Sequence, residues 1–254
     1  MNNKRKTINA TIKSIRIIEM IKSANGTRLP DLVQELGYSK STVHSHLNTL
    51  REQGYVTKEG EIYHLSLKFF HLGQYTRDRD ERYRLAKQKT EELAEELNQA
   101  VDFDVETNGR IITLFHKADE STEIGFTEGD YFYVHTSATG KAILAEFSER
   151  RVLEILDQWG MKRKTEHTIT DPDELLEDLE RTRERGYSIV DQEWLEGLRA
   201  VGAVVNLPNG RPLGALSTGA PTYRLTDETI EDEIGPKLVK AANELTEDVS
   251  EILQ

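Results

Sequence analysis

The chain has 254 residues, contains no cysteine and carries a formal net charge of −12. This length favours two domains with a substantial core. The lack of thiols excludes disulfides, thiolate metal sites and cysteine nucleophiles. A polar, basic N-terminus and the absence of an apolar stretch of about 18 residues predict a cytoplasmic protein without a leader or membrane anchor.

Charge is distributed unevenly along the chain. Residues 1–75 carry a net charge of +5, and the remaining residues carry −17. A basic segment within an acidic protein is typical of nucleic-acid binding. Because a charge of +5 supports few phosphate contacts per protomer, we expect a dimer on two half-sites of DNA.

Residues 1–65 have the pattern of a winged helix-turn-helix. Isoleucines spaced three or four residues apart predict the first helix, and Gly37 ends the second. Ser39 offers a hydroxyl N-cap to the third, which Gly54 ends. Two alternating strands around a turn at 58–61 form the wing. The predicted elements are helices over 8–24, 29–36 and from Ser39 to Gly54, and strands over 55–57 and 62–65.

The third of these helices has two unlike faces. Val43, Leu47 and Leu50 form an apolar stripe that packs inward. The opposite face carries short polar and cationic groups suited to base edges and phosphates in a major groove. The predicted DNA-binding residues are Ser39, Lys40, Ser41, Thr42, His44, Ser45, Asn48, Arg51 and Lys58. A helical hairpin that binds nothing is the alternative, but it has no need of the polar face or the wing.

Residues 66–99 are predicted to form a helical linker with a break near Gly73. Alternating charges over 77–82 favour a solvated bridge between domains, and the apolar positions of the linker are candidates for a dimer contact. The linker thus separates a DNA-binding domain, 1–65, from a second domain, 100–254.

From Val101 onward, alternating strands and helices predict a mixed α/β domain with an antiparallel sheet, so the fold class is α+β. Asp171 or a neighbouring residue is expected to cap a helix with Pro172 at its first position, and Asn209-Gly210 is expected to form a hairpin turn. The predicted strands are 101–105, 111–115, 131–135, 187–190, 200–207 and 213–218. The predicted helices are 138–147, 149–159, 172–185 and 226–253.

Seven segments, through their order and spacing, resemble the IclR family of transcriptional regulators over almost the full length. They are 36–43 (LGYSKSTV), 47–50 (LNTL), 54–56 (GYV), 135–145 (HTSATGKAILA), 165–170 (TEHTIT), 179–187 (LERTRERGY) and 214–221 (GALSTGAP). The resemblance implies a GAF-like C-terminal domain that binds a small effector, and a homodimer or tetramer on double-stranded operator DNA. It does not imply catalysis.

The resemblance also implies that the effector lies over the sheet, against the loop 135–140 before the Gly-Lys-Ala helix. A helix N-terminus binds carboxylates well, so we expect a small organic acid. The implied effector-binding residues are His135, Thr136, Ser137, Ala138, Thr139, Gly140, Asp191, Glu193, Leu198, Ala200, Ser217 and Thr218, with Gly219 beside them. An acidic position that many family members carry before Glu193 falls on Val190 or Asp191.

Other chemistry has little support in the sequence. Residues 139–142 (TGKA) lack the glycine spacing and the Ser/Thr of a phosphate-binding P-loop. His135 with Asp191 or Glu193 is an incomplete ligand set, so we expect no metal and no cofactor. The leading hypothesis is a DNA-binding transcriptional regulator controlled by a small organic-acid-like metabolite. The alternative is a metabolite-binding protein or small-molecule enzyme with a helical appendage.

Overall fold

The computed structural model describes residues 7–118 and 127–253. The chain divides into two compact units, Met1–Arg79 and Asp80–Gln254. The α+β class is confirmed, because a helix-turn-helix unit precedes a mixed unit with an antiparallel sheet. Within these described ranges, no helix is both long enough and apolar enough to cross a bilayer.

The first unit contains the predicted winged helix-turn-helix. Its helices are α1 (Asn9–Ser23), α2 (Leu29–Leu36) and α3 (Lys40–Glu52), and its strands are β1 (Thr27–Arg28), β2 (Val56–Glu59) and β3 (Ile62–Leu65). The strands are antiparallel in the order β1-β3-β2. Leu32, Leu47 and Ile21 are buried together, as helical spacing predicts, and Ile17 joins them in this core. Ile8 and Ile15, which were expected on the same apolar stripe of α1, are instead 71% and 52% exposed.

The predicted linker forms two helices, α4 (Lys68–Asp78) and α5 (Glu81–Leu97). The predicted break near Gly73 is wrong, because α4 continues through this residue. A Cβ added at Gly73 would meet no atom within 4 Å, so no packing contact requires glycine there. The interruption instead falls before Asp80, whose carboxylate caps α5. The idea of a solvated bridge is also wrong for α5, because Leu93 and Leu97 are buried in the core of the second unit.

A six-stranded antiparallel sheet forms the centre of the second unit. Its strands are β4 (Val101–Thr107), β5 (Arg110–Lys117), β6 (Tyr131–Tyr133), β7 (Ser188–Asp191), β8 (Leu198–Asn206) and β9 (Pro212–Pro221). Their spatial order is β6-β5-β4-β9-β8-β7. β6 is shorter than predicted, because the chain turns into a 3₁₀ helix at Val134–Thr136.

Helices cover both faces of this sheet. They are α6 (Ala138–Ala145), α7 (Glu149–Trp159), α8 (Pro172–Arg185), α9 (Asp227–Thr229) and α10 (Gly235–Glu251). Phe103 of β4 packs with α5 and α10 on one face. Ile111 and Ala215 pack with α6, α7 and α8 on the other. The sheet is therefore covered on both faces, and polar strand residues on the α6 side can face the interior instead of solvent.

The predicted single helix over 226–253 is interrupted. A π-helical turn, Ile230–Ile234, separates α9 from α10, and the N–H of Gly235 donates to the carbonyl of Ile230. Pro236 follows this turn. Because proline has no N–H and its ring clashes with the carbonyl four residues earlier, the wider turn accommodates it where a continuous α-helix would not.

Candidate DNA interface and effector cavity

The orientation of α3 is fixed by its cap and by its buried stripe. The Ser39 hydroxyl accepts a hydrogen bond from the Thr42 N–H at 3.2 Å, which satisfies a donor that the first turn leaves without a partner. Gly37, in the left-handed region with φ 66°, ends α2 and turns the chain toward this cap. Leu47 and Leu50 are buried, so the opposite face of α3 points outward.

The predicted DNA-binding residues lie on this outward face or beside it. Ser41, Ser45 and Asn48 follow one another at helical intervals on one side of α3. The exposed residues of the set are Ser39, Lys40, Ser41, His44, Ser45 and Arg51, and the half-buried ones are Thr42, Asn48 and Lys58. α3 therefore presents a continuous row of hydrogen-bonding groups with cations at both ends.

Several of the predicted residues already have hydrogen-bond partners within the first unit. Asn48 Nδ2 lies 3.3 Å from His44 Nδ1, and the Ser41 hydroxyl lies 3.0 Å from the Ser39 hydroxyl. The Thr42 hydroxyl lies 2.8 Å from the Ser39 hydroxyl, so Thr42 belongs to the cap of α3. Lys58 donates to Glu61 at 3.2 Å, and its ammonium lies 5.4 Å from the centre of the Tyr63 ring. A contact between Lys58 and a phosphate would compete with Glu61.

The second unit contains a cavity between the sheet and the start of α6. Its space outside the protein atoms, counting the part open to solvent, is about 520 Å³. The predicted residues that line it are Thr136, Ser137, Ala138, Thr139, Leu198, Ala200, Ser217, Thr218 and Gly219. Ser137 caps α6 by accepting from the Gly140 N–H at 3.0 Å, and this cap holds the first turn of α6 against the cavity.

Four predicted effector-binding residues lie outside this lining. His135 is buried beside it, where its Nε2 lies 3.3 Å from the Lys162 carbonyl and burial lowers its pKa to about 4. Gly140 is needed for packing, because an added Cβ would clash with the Val134 carbonyl. Asp191 pairs with Arg199 at 3.5 Å. Glu193 turns into the protein interior.

Glu193 belongs to a buried charge cluster with Lys141 and Asp178. The ammonium of Lys141 is 2.8 Å from Asp178 Oδ2 and 2.5 Å from Glu193 Oε1, and Lys141 is 0% exposed. Burial raises the pKa of Glu193, although the attraction of Lys141 opposes this shift. The cluster joins α6 and α8 to the segment after β7, which also carries the cavity residue Trp194.

Sequence reasoning missed the acidic floor of the cavity. The additional lining residues are Asp102, Asp104, Thr113, Phe132, Val190 and Trp194. The two aspartates alternate with apolar residues along β4, a pattern that by itself predicts only a half-buried strand. Asp102 Oδ1 lies 2.6 Å from His116 Nδ1. Burial and the charge of Asp102 raise the pKa of Asp104 to about 7.

The described residues that line the cavity include no lysine, arginine or histidine. Phe132 and Trp194 provide an aromatic edge, with ring centres 5.9 Å apart. Throughout residues 7–118 and 127–253, no three His, Asp or Glu side chains are grouped so that they could hold a metal ion. The cavity thus combines an apolar, aromatic wall with hydroxyls, carboxylates and one helix N-terminus.

The winged helix-turn-helix with a polar outer face, and the separate unit with its lined cavity, define the class of the protein. It is a DNA-binding transcriptional regulator with a C-terminal effector-binding domain. Two family models match the chain: "IclR helix-turn-helix domain" over residues 10–60, and "Bacterial transcriptional regulator IclR C-terminal" over residues 77–247. The chain belongs to the IclR family, whose members are regulators and not enzymes.

Curated relatives are similar over nearly the full length. The chain is 31% identical to "Probable HTH-type transcriptional regulator ArcR" of Halobacterium salinarum, with 95% of this chain and 94% of the relative covered. It is also 31% identical to "Transcriptional repressor IclR" of Escherichia coli, with 94% and 89% covered. Among solved structures, an IclR transcriptional regulator from Alicyclobacillus acidocaldarius has a TM-score of 0.80 at 21% identity, covering 96% of this chain and 100% of that chain.

Proposed function

We propose that α3 enters the major groove of double-stranded operator DNA with its outward face toward the base edges. The observation that carries this proposal is the outward row of exposed Ser41 and Ser45 and half-buried Asn48, opposite a buried apolar stripe. Hydroxyl and amide groups at this spacing suit direct readout, while Lys40 and Arg51 suit phosphate oxygens. The net charge of +5 over residues 1–75 supports binding of this unit to the phosphate backbone.

A homodimer or tetramer is the proposed binding unit. Exposed apolar side chains on or next to α4 support this, because a second copy of the chain would remove them from water. They are Leu67, Phe70, Leu72 and Tyr75, with relative exposures of 85%, 62%, 38% and 67%. Two copies of α3 could then occupy half-sites about one DNA turn apart. The proposed location is the cytoplasm, where such DNA is accessible.

The proposed effector is a small organic acid bound in the cavity. The first turn of α6 leaves the N–H groups of Ala138 and Thr139 without acceptors inside the helix, and the helix dipole favours negative charge there. The apolar wall at Leu198 and Trp194 suits the carbon skeleton of such an acid. If the acid binds one dimer geometry more tightly than another, it shifts the affinity for DNA.

The DNA-binding proposal is tested by replacing both Lys40 and Asn48 with alanine. A base contact by Asn48 contributes about 1–3 kcal/mol, and Lys40 adds a phosphate contact, so we expect at least a tenfold loss of specific affinity in fluorescence anisotropy with operator DNA. Lys22→Ala is the charge-matched control, because Lys22 is exposed on α1, outside the predicted interface. Equal affinities of the double variant and this control would refute the assignment to α3.

The effector proposal is tested by titrating the full chain with pooled small organic acids while its affinity for DNA is followed. An active pool is then divided until one acid remains, and the affinities of this acid for free and DNA-bound protein are compared. Linkage requires that the acid changes DNA binding by the same factor as DNA changes acid binding. Unequal factors would show that the acid acts at a second site.

A further inference from the structure

We propose that Asp104 selects the effector by accepting a hydrogen bond from a hydroxyl or ammonium group that the effector carries in addition to its carboxylate. The preferred ligands are therefore hydroxy acids and amino acids, and simple acids bind less tightly. The inference rests on the proposed binding of an organic acid in the cavity.

Asp104 lies in the middle of the sheet, at the floor of the cavity. β4 is paired on both sides, and the cross-strand neighbours of Asp104 are Thr113 on β5 and Ala215 on β9. A bulge between Phe103 and Asp104 changes the register at this point, and bulges commonly redirect a side chain. Asp104 is only 4% exposed, yet it lines the cavity. A ligand in the cavity can therefore form a hydrogen bond with its carboxylate.

One carboxylate oxygen of Asp104 has its partner and the other does not. Oδ2 accepts from the Thr139 hydroxyl at 2.6 Å. Oδ1 is buried and, among the described residues, has no hydrogen-bond partner. Leaving a buried acceptor of this kind unpaired costs free energy, and native proteins rarely do so without a functional reason. A donor group on the ligand satisfies Oδ1.

The surroundings of Asp104 favour a donor and disfavour a second anion. From β4, Asp102 contributes another carboxylate, which is hydrogen-bonded to His116 on β5. From α6, the Thr139 hydroxyl already gives its proton to Asp104 and so cannot give it to a ligand carboxylate. From the flanking strands, Ala215 carries no charge, and the Thr113 hydroxyl acts on the Asp104 carboxylate as a donor that lowers its pKa. A ligand carboxylate therefore belongs at the backbone N–H groups of α6, and the ligand donor belongs at Asp104.

The two tryptophans of the chain allow a direct test. Trp194 lines the cavity, whereas Trp159 donates to the Asn108 carbonyl at 2.6 Å outside it. In a Trp159→Phe background, the fluorescence of Trp194 reports ligand binding, and calorimetry on the unaltered chain checks each affinity. The probes are butyrate, 3-hydroxybutyrate and 3-aminobutyrate, together with 3-phenylpropanoate, phenyllactate and phenylalanine.

At pH 8, where the Asp104 carboxylate is mostly charged, we expect the donor-bearing acids to bind about 10- to 100-fold more tightly than their parent acids, as for a hydrogen bond to a charged group. Asp104→Leu removes this preference. Asp104→Asn, which preserves the shape of the side chain, keeps an acceptor for hydroxyls and loses the preference for ammonium. Asp248→Asn, at an exposed carboxylate on α10 outside the lining, leaves both preferences unchanged.

Parent acids that bind as tightly as their hydroxy and amino derivatives would overturn the inference while leaving the organic-acid proposal intact. If this equal binding also tightened as the pH fell from 8 to 6, Asp104 would be acting as a protonated donor to the ligand carboxylate. Binding of 1,3-butanediol that depends on Asp104 would support the inference and contradict the carboxylate proposal. Failure of every probe would contradict both.

Discussion

Replacement of Lys141 with methionine is expected to destabilise the second unit by about 3–5 kcal/mol, the usual cost of removing one partner from a buried ion pair. Lys141 is 0% exposed, and its ammonium lies 2.8 Å from Asp178 and 2.5 Å from Glu193. At an effective dielectric constant of about 20, opposite charges about 4 Å apart attract by about 4 kcal/mol. Methionine fills similar space but leaves Glu193 buried without its cation.

Urea unfolding followed by tryptophan fluorescence measures this effect selectively. Both tryptophans, Trp159 and Trp194, lie in the second unit, so unfolding of the first unit does not contribute to the signal. Lys240→Met is the matched control. The Lys240 side chain is 75% exposed and lies 3.7 Å from Glu244, so its loss should change the unfolding free energy by less than about 1 kcal/mol.

A triple variant, Lys141→Met with Asp178→Asn and Glu193→Gln, separates the electrostatic cause from a packing defect. Neutralising both carboxylates should restore much of the lost stability, because no unpaired charge remains in the interior. The reasoning would be refuted if Lys141→Met behaved like the Lys240 control. It would also be refuted if the triple variant were as unstable as the single one.

Three further predictions follow from local geometry. Ser39→Ala should cost about 1 kcal/mol of helix stability through the lost cap, and unchanged thermal unfolding by circular dichroism would refute this. Between about pH 4 and pH 7 Asp104 holds a proton in the folded state that the unfolded chain releases, so wild-type stability should fall, relative to Asp104→Asn, as the pH rises from about 4 to about 7; parallel urea midpoints across this range would contradict it. Gly140→Ala should destabilise the second unit by at least about 1 kcal/mol, whereas Gly73→Ala, in open space on α4, should be neutral or stabilising by up to about 1 kcal/mol. Equal effects of these two substitutions on unfolding would refute the packing argument.

The elements predicted most accurately from the sequence are those with local end signals. Asp171 accepts from the N–H groups of Asp173 and Glu174, as its position before Pro172 predicted. Gly186, with φ 82°, ends the same helix. These signals act within one turn of chain, so no tertiary information is needed to recognise them.

The break near Gly73 was wrong because glycine only weakens a helix and does not end it. The chain leaves the helical path at Asp80 instead, within a charged run whose pattern does not mark a boundary. The π-helical turn before Pro236 was missed for a related reason. Periodicity locates the apolar face of a helix, but it does not register one extra residue in a single turn.

The candidate cavity shows the limit of strand patterns most clearly. Alternation along β4 reveals that Asp102 and Asp104 share a face, but it cannot tell whether that face meets solvent or a covered cavity. Only α6, packed across the sheet, turns the face into an interior surface. Lys141 was likewise unpredictable as a buried charge, because its partners Asp178 and Glu193 are distant in sequence.

The measurement that tests the central claim most directly is specific binding of the full chain to DNA from upstream of its own and neighbouring genes, over a salt series, with and without pooled organic acids. Specific binding should weaken as salt rises and change with one pool of acids. It should be lost in the double variant Lys40→Ala/Asn48→Ala and retained in the single variant Lys22→Ala. Specific binding that survives the double substitution, or no specific binding at any salt concentration, would contradict the account.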